Sequence, residues 1–245
     1  ILMRMAEDAK VKTEAEKLQT ALLDSVSHEL KTPLTIIAGS AEHLEKTDKD
    51  PESHKLVLEI RTASRRLLQT VNGLLNMTRL DSGSLQLNLE WHDVRDIIGS
   101  AVENLGEQLS RHKLVTRYAD TLPPVRVDAE IIRQVLANLL SNAAAYSPKG
   151  TEIIISAQMD ENTLVLGVID HGLGIAEEDT DRIFEKFYRG KNVPTGGLGL
   201  GLSIAKRFVE AHGGQIGVYN QKGSGACFEI RLPVELFREE KEVSS

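Results

Sequence analysis

The chain has 245 residues, 41% hydrophobic and 27% charged, enough for one large or two modest globular domains with real cores, which excludes a mainly disordered protein. A formal net charge of −7 gives no general basic footprint for direct nucleic-acid binding. Cys227 is the only cysteine, which excludes an intrachain disulfide and fits a reducing cytosol, and no Cys/His cluster has zinc-ligand spacing. No apolar run approaches the roughly 18 residues that span a bilayer, and the first residues lack the order of a signal peptide. A soluble, cytoplasmic portion is therefore expected, attached to a membrane only through segments upstream of Ile1.

Residues 6–19 are rich in Ala, Glu and Lys, with apolar positions at Val11, Ala15, Leu18 and Leu22. They predict a helix that runs unbroken into Leu23, Val26, Leu30, Leu34 and Ile37, which share one stripe at about 100° per residue. His28 projects from the opposite side, toward water. Thr32, four residues on, shares its face, and the side chain of Glu29 is long enough to reach the imidazole. Pro33 cannot donate to the Glu29 carbonyl and crowds it, so a bend is expected one turn past the histidine. A neutral imidazole oriented and deprotonated by a carboxylate suits attack on a phosphoryl group; taken alone, His28 also fits a solvated helix face.

Thr47 to Ser53 is polar, contains Pro51, and predicts the turn of a helical hairpin. In the returning helix Leu56, Ile60, Ala63, Leu67, Val71 and Leu74 make a heptad-like seam, with Val57, Leu68 and Leu75 as a second strip. One hairpin cannot cover both strips, so a four-helix bundle made by a homodimer is expected. Asp81-Ser82-Gly83-Ser84 then ends the helix and opens a linker.

Beyond it the period changes. Leu85, Leu87, Leu89 and Trp91 alternate as a strand, Asp93 caps a helix carrying Ile97, Ile98, Ala101, Val102 and Leu105, and residues 125–127 suggest another strand. A helix from Ala129 to Tyr146, strands from Glu152 to Ala157 and Thr163 to Ile169, a Gly-punctuated segment, a helix from Leu200 to His212 and a final hairpin complete the pattern. The fold class is α+β: a helical hairpin, then a sandwich with helices on one face of a sheet.

Within this frame Asn138 and Asn142 sit four apart on one flank of an apolar stripe, where carboxamide oxygens could ligate Mg²⁺ or simply make buried hydrogen bonds. Asp170-His171-Gly172-Leu173-Gly174 follows a strand, as a turn or as a carboxylate beside two glycines that admit a close backbone and an adenine amino group. Gly197, Gly199 and Gly201 precede a helix whose exposed amides can cradle phosphate, and the spacing is neither a Walker loop nor a Rossmann fingerprint. Phe184-Glu185-Lys186-Phe187-Tyr188-Arg189 lies between the glycine motifs, where Arg189 is a phosphate contact or a surface charge and the two phenylalanines a mobile cover or plain core.

The ordered set of these five boxes resembles the two-component sensor histidine kinases over roughly residues 18–233. That resemblance implies a lead-in over 1–17, a dimerisation and histidine phosphotransfer hairpin over 18–82, an ATP-binding domain of the Bergerat (GHKL) type over 83–238 and a tail over 239–245. It implies that His28 accepts the γ-phosphoryl group of ATP with Glu29 as base, that Thr32 positions water for dephosphorylation, and that the phosphoryl group passes to an aspartate on a response-regulator receiver domain. Asn138 and Asn142 would hold phosphates and Mg²⁺, the metal falling to Asn142. Asp170 would take the adenine, Gly172 and Gly174 its pocket, Tyr146 the nucleotide wall, Arg189 the γ-phosphate, and Gly197, Gly199 and Gly201 the lid hinge.

Three positions depart from the family pattern: Ala145 where Lys is usual, His171 where Asn is usual and Ala226 where Thr is usual. Ala21-Leu22-Leu23 and the run from Trp91 to Gly99-Ser100-Ala101 look like the potassium-responsive KdpD-type kinases. Two other readings compete: a dimeric nucleotide-binding signalling scaffold with little turnover, marked by Ala145, and a Bergerat ATPase driving a clamp, which leaves His28 unexplained.

Overall fold

The computed structural model describes residues 34–42 and 44, a set of positions between 53 and 71, and residues 85–188, 199–221 and 225–237. The expectations for residues 6–19, Pro33, the turn at 47–52, Leu74, Leu75 and residues 81–84 lie outside them. The chain divides into two units, Ile1–Leu85 and Gln86–Ser245.

In the first unit residues 34–42 and the described positions from 53 to 71 are helical. Leu34, Ala41, Val57, Ser64 and Val71 are buried, whereas Leu56, Ile60 and Leu67 are 60%, 47% and 47% exposed. Of the second strip Val57 is buried and Leu68 half-buried, while Leu56, Ile60, Ala63 and Leu67 of the seam face out. Val71 was expected in the same seam and is buried instead. At about 100° per residue it lies nearer Ser64 than Leu67, and it continues the heptad spacing of Val57 and Ser64.

The second unit opens with β1 (Glu90–His92), which pairs antiparallel with β3 (Val125–Val127). The strand expected from Leu85 is thus only three residues long. Its partner offers no more, and the amide of Asn88 is spent on the Asp128 carboxylate at 2.9 Å. A C-terminal segment widens this ribbon: the Arg126 amide donates to the Glu235 carbonyl and that of Phe237 to the Pro124 carbonyl.

The main sheet has the order β2 (Lys113–Tyr118), β4 (Glu152–Asp160), β5 (Thr163–Ile169), β7 (Ala226–Pro233), β6 (Gln215–Asn220), and only β2 and β4 run parallel. Helices α1 (Val94–Asn104), α2 (Gly106–Leu109), α3 (Ala129–Tyr146) and α4 (Gly201–Ala211) complete the unit. The side chains of Asp93 and Asp128 accept amides of the first turns of α1 and α3, satisfying donors that a helix start leaves open.

Alternate strand residues reach the helix layer: Ile153, Ile155 and Ala157 from β4, Leu164, Leu166 and Val168 from β5, and Phe228, Ile230 and Leu232 from β7. Opposite them Val135, Leu136, Leu139 and Leu140 of α3 and Ala205, Phe208 and Val209 of α4 are buried. Each large apolar side chain so buried contributes about 1.5–3 kcal/mol, and this core fixes the two helices that carry the candidate site.

Candidate functional site

The period of two along β5 does not stop at Val168. Asp170 falls on the same helix-facing side as Leu164, Leu166 and Val168, so a carboxylate is carried to the edge of the core, where it is 5% exposed. Its Oδ1 accepts from the amides of Gly172 at 2.8 Å and Ala226 at 3.2 Å. No described residue donates to Oδ2. Burying a carboxylate costs free energy unless it is hydrogen-bonded, and here two amides hold one oxygen while the other stays available to a donor from outside.

Gly172 is required by its surroundings: a Cβ there would stand 2.8 Å from the Tyr146 carbonyl oxygen, so the Asp170 corner lies against the end of α3. Gly174 takes φ +76°, and the carboxamide of Asn220 clamps the next residue, accepting from the Ile175 amide at 2.8 Å and donating to its carbonyl at 2.7 Å. His171 points to the opposite face of the sheet, where its Nδ1 meets the Glu152 carbonyl at 2.9 Å.

Asn138, Asn142 and Tyr146 are spaced one turn apart on the flank of the buried stripe of α3, the first two half-buried and Tyr146 42% exposed. Asn138 Nδ2 donates to the Gly201 carbonyl at 3.2 Å, while the Asn142 side chain has no hydrogen-bond partner among the described residues. Gly201 is the first residue of α4, whose start has neither a side-chain cap nor an acidic residue in its first turn. Even the Ser203 hydroxyl turns back to the Leu200 carbonyl. The leading amides and positive end of α4 are thus left for an anion.

At the other end of this segment the Phe187 amide donates to the Gly199 carbonyl at 3.1 Å. Gly199 has φ +68°, and Gly201 is helical, so of the two described glycines of the expected hinge only Gly199 uses a left-handed conformation. The Tyr188 hydroxyl donates to the Asp179 carboxylate, which raises its pKa, and the Arg182 guanidinium sits 4.4 Å from the Tyr188 ring centroid. His28, Glu29, Thr32, Arg189 and Gly197 lie outside the described residues.

Among the described residues no group of three His, Cys, Asp or Glu side chains is placed to hold a metal. The unspent carboxamide of Asn142 is a hard oxygen donor, which fits Mg²⁺, a cation that keeps most of its shell for water and phosphate. A cavity of about 350 Å³ lined by Leu87, Leu89, Arg126, His212 and Glu235 contains none of the candidate site residues. Asn220 and the Ala226 amide were not anticipated. Their partners stand 45 and 56 residues away, and a short polar residue ending a strand signals only a turn.

Two family models match separate stretches of the chain. Residues 18–83 match the His Kinase A (phospho-acceptor) domain and residues 127–236 the histidine kinase-, DNA gyrase B- and HSP90-like ATPase family. The chain is 35% identical over 242 residues to the sensor protein KdpD of Clostridium acetobutylicum, covering 96% of this chain and 27% of that protein. It therefore spans about a quarter of that relative's length. Among solved structures, full-length ShkA in complex with AMPPNP superposes with a TM-score of 0.71 at 30% identity, over 89% of this chain and 47% of that one. The Acinetobacter baumannii histidine kinase AdeS superposes with a TM-score of 0.60 at 30% identity, over 85% of this chain and 98% of that one. With both domain types present in this order, the chain belongs to the two-component sensor histidine kinases.

Proposed function

We propose that the chain is an ATP-dependent protein-histidine kinase that phosphorylates its own His28 and passes the phosphoryl group to an aspartate on a response regulator. The observation that carries this reading is the row Asn138, Asn142, Tyr146 on α3, which runs from the bare start of α4 to the Asp170–Gly172 corner. That row joins an anion cradle to a buried acceptor, the two ends of a nucleotide.

In this mechanism Asp170 Oδ2 accepts from the adenine amino group, with Gly172 and Gly174 shaping its pocket and Tyr146 its wall. The amides at Gly201 and the Asn138 and Asn142 carboxamides meet phosphate oxygens, and Arg189 offsets charge on the γ-phosphate. Asn142 would hold Mg²⁺, which when bound neutralises phosphate charge. An imidazole nitrogen of His28 attacks the γ-phosphorus, the bond to the bridging oxygen of ADP breaks, and Glu29 takes the imidazole proton. The phosphoryl group then moves to the regulator's carboxylate, and Thr32 positions water when that regulator is dephosphorylated.

The outward seam of Leu56, Ile60 and Leu67 supports a homodimer through the hairpins of residues 18–82, and residues 83–238 supply the nucleotide. The described residues include no helix long and apolar enough to cross a membrane. In the whole protein this portion is the cytosolic part of a membrane-bound sensor. Incubation with Mg²⁺ and γ-labelled ATP is expected to give stoichiometric label on the protein, stable to alkali and lost in acid. Released phosphate without labelled protein would identify a hydrolase instead, and bound ATP with neither product a scaffold.

A further inference from the structure

We infer that His212 is a positioning residue for the phosphate end of the nucleotide, acting through a hydrogen bond that staples the far ends of α3 and α4. This rests on the nucleotide site proposed above. The two helices are antiparallel neighbours joined by two side-chain rungs. One is Asn138 Nδ2 to the Gly201 carbonyl at 3.2 Å; the other is the Asp128 amide to His212 Nε2 at 3.3 Å. Asp128 and Asn138 are ten residues apart on α3 and its cap, about 15 Å of helix, and Gly201 and His212 eleven residues on α4, about 16.5 Å. The rungs therefore close a frame whose long sides match in length.

The chemistry of the lower rung is fixed by its partners. His212 Nδ1 lies 2.8 Å from the Phe208 carbonyl, an acceptor only, so the ring proton is on Nδ1 and Nε2 is left to accept from the Asp128 amide. The same Asp128 is 8% exposed and uses its two carboxylate oxygens on the Ile131 amide, at 3.1 Å, and the Asn88 amide, at 2.9 Å. Without the lower rung, α4 keeps its apolar packing but loses the bond that sets its sliding position along α3. The bare amides at Gly201 then shift against Asn138 and Asn142. The Asp170 corner is held by β5, β7 and Asn220 and lies against the end of α3, so a shift of α4 leaves it in place.

The rung can be separated from simple destabilisation by comparing ADP with adenosine, since only ADP uses the phosphate end. In the full chain with Mg²⁺, His212→Asn keeps a donor for Phe208 but cannot reach the Asp128 amide. Its ADP Kd is expected to rise about tenfold, the equivalent of one hydrogen bond of about 1.4 kcal/mol, while its adenosine Kd stays within about twofold. His212→Gln restores an acceptor near the Nε2 position and is expected to bind ADP within about threefold of wild type. Melting without nucleotide checks that each variant is folded. Unchanged ADP binding in His212→Asn, equal losses of ADP and adenosine, or a selective loss of ADP in folded His212→Gln would each overturn the inference; the last applies even if the Asn variant does not fold. A wild-type chain that binds no ADP would instead overturn the nucleotide site on which it rests.

Discussion

The Phe187 amide donates to the Gly199 carbonyl across 3.1 Å, which ties the start of α4 to the Phe184–Tyr188 segment. Gly199 makes this possible: at φ +68° a Cβ would stand 2.8 Å from the Tyr188 carbonyl oxygen. Gly199→Ala is expected to weaken ATP binding and phosphorylation together, because strain of about 1–3 kcal/mol is relieved by opening that tie. Wild-type ATP affinity in a folded Gly199→Ala protein, measured by titration calorimetry, would contradict this.

Asp170→Asn keeps an acceptor for the Gly172 and Ala226 amides but turns a donor toward the adenine amino group. The loss of a charge-assisted hydrogen bond of about 1.5–3 kcal/mol predicts ATP binding weakened about ten- to hundredfold. The melting temperature without nucleotide is expected to change little. Equal affinities for ATP in the two proteins would remove Asp170 from the site.

Ile60 is 47% exposed on the outward seam of the first unit. A charge there costs a single chain little, about 0.5 kcal/mol or less, but it is intolerable in the middle of an apolar interface. Ile60→Glu is expected to convert the dimer to monomer in sedimentation experiments, with the helical signal partly retained. A dimer that persists would place the interface elsewhere.

Cys227 is 2% exposed, and burial pushes its thiol pKa up. Tyr219 stands opposite it across β6 and β7, and its hydrogen bond to Cys227 helps push the phenol up to about 12. A raised thiol pKa makes thiolate scarce at mildly alkaline pH, so the folded protein should resist iodoacetamide and react only on unfolding in urea. Rapid alkylation of the native chain would show that the β6–β7 edge opens readily.

Much of this was legible in the sequence where a period runs long. The 18 residues of α3 and the short apolar run of β5 marked their elements directly, and Asp170 stands just past the end of that run. Lys113–Tyr118 was missed because β2 is an edge strand whose exposure does not alternate. The alternation from Leu85 to Trp91 misled twice: Leu89 and Trp91 are 41% and 43% exposed, and pairing is limited by a three-residue partner. The rung between Asp128 and His212 joins residues 84 apart, and nothing local in either segment announces the other. His28 lies outside the described residues: its place off the apolar stripe asks for a role that packing does not supply, and the role given to it above is a proposal.

Phosphorylation of His28 from ATP is tested by locating the label after incubation with Mg²⁺ and γ-labelled ATP in wild type, His28→Gln and Asn142→Ala. Acid-labile label is expected on the wild type and absent from both variants, with ATP binding retained in His28→Gln. Acid-labile label that survives in His28→Gln, or wild-type protein that binds ATP and takes up none, would contradict it.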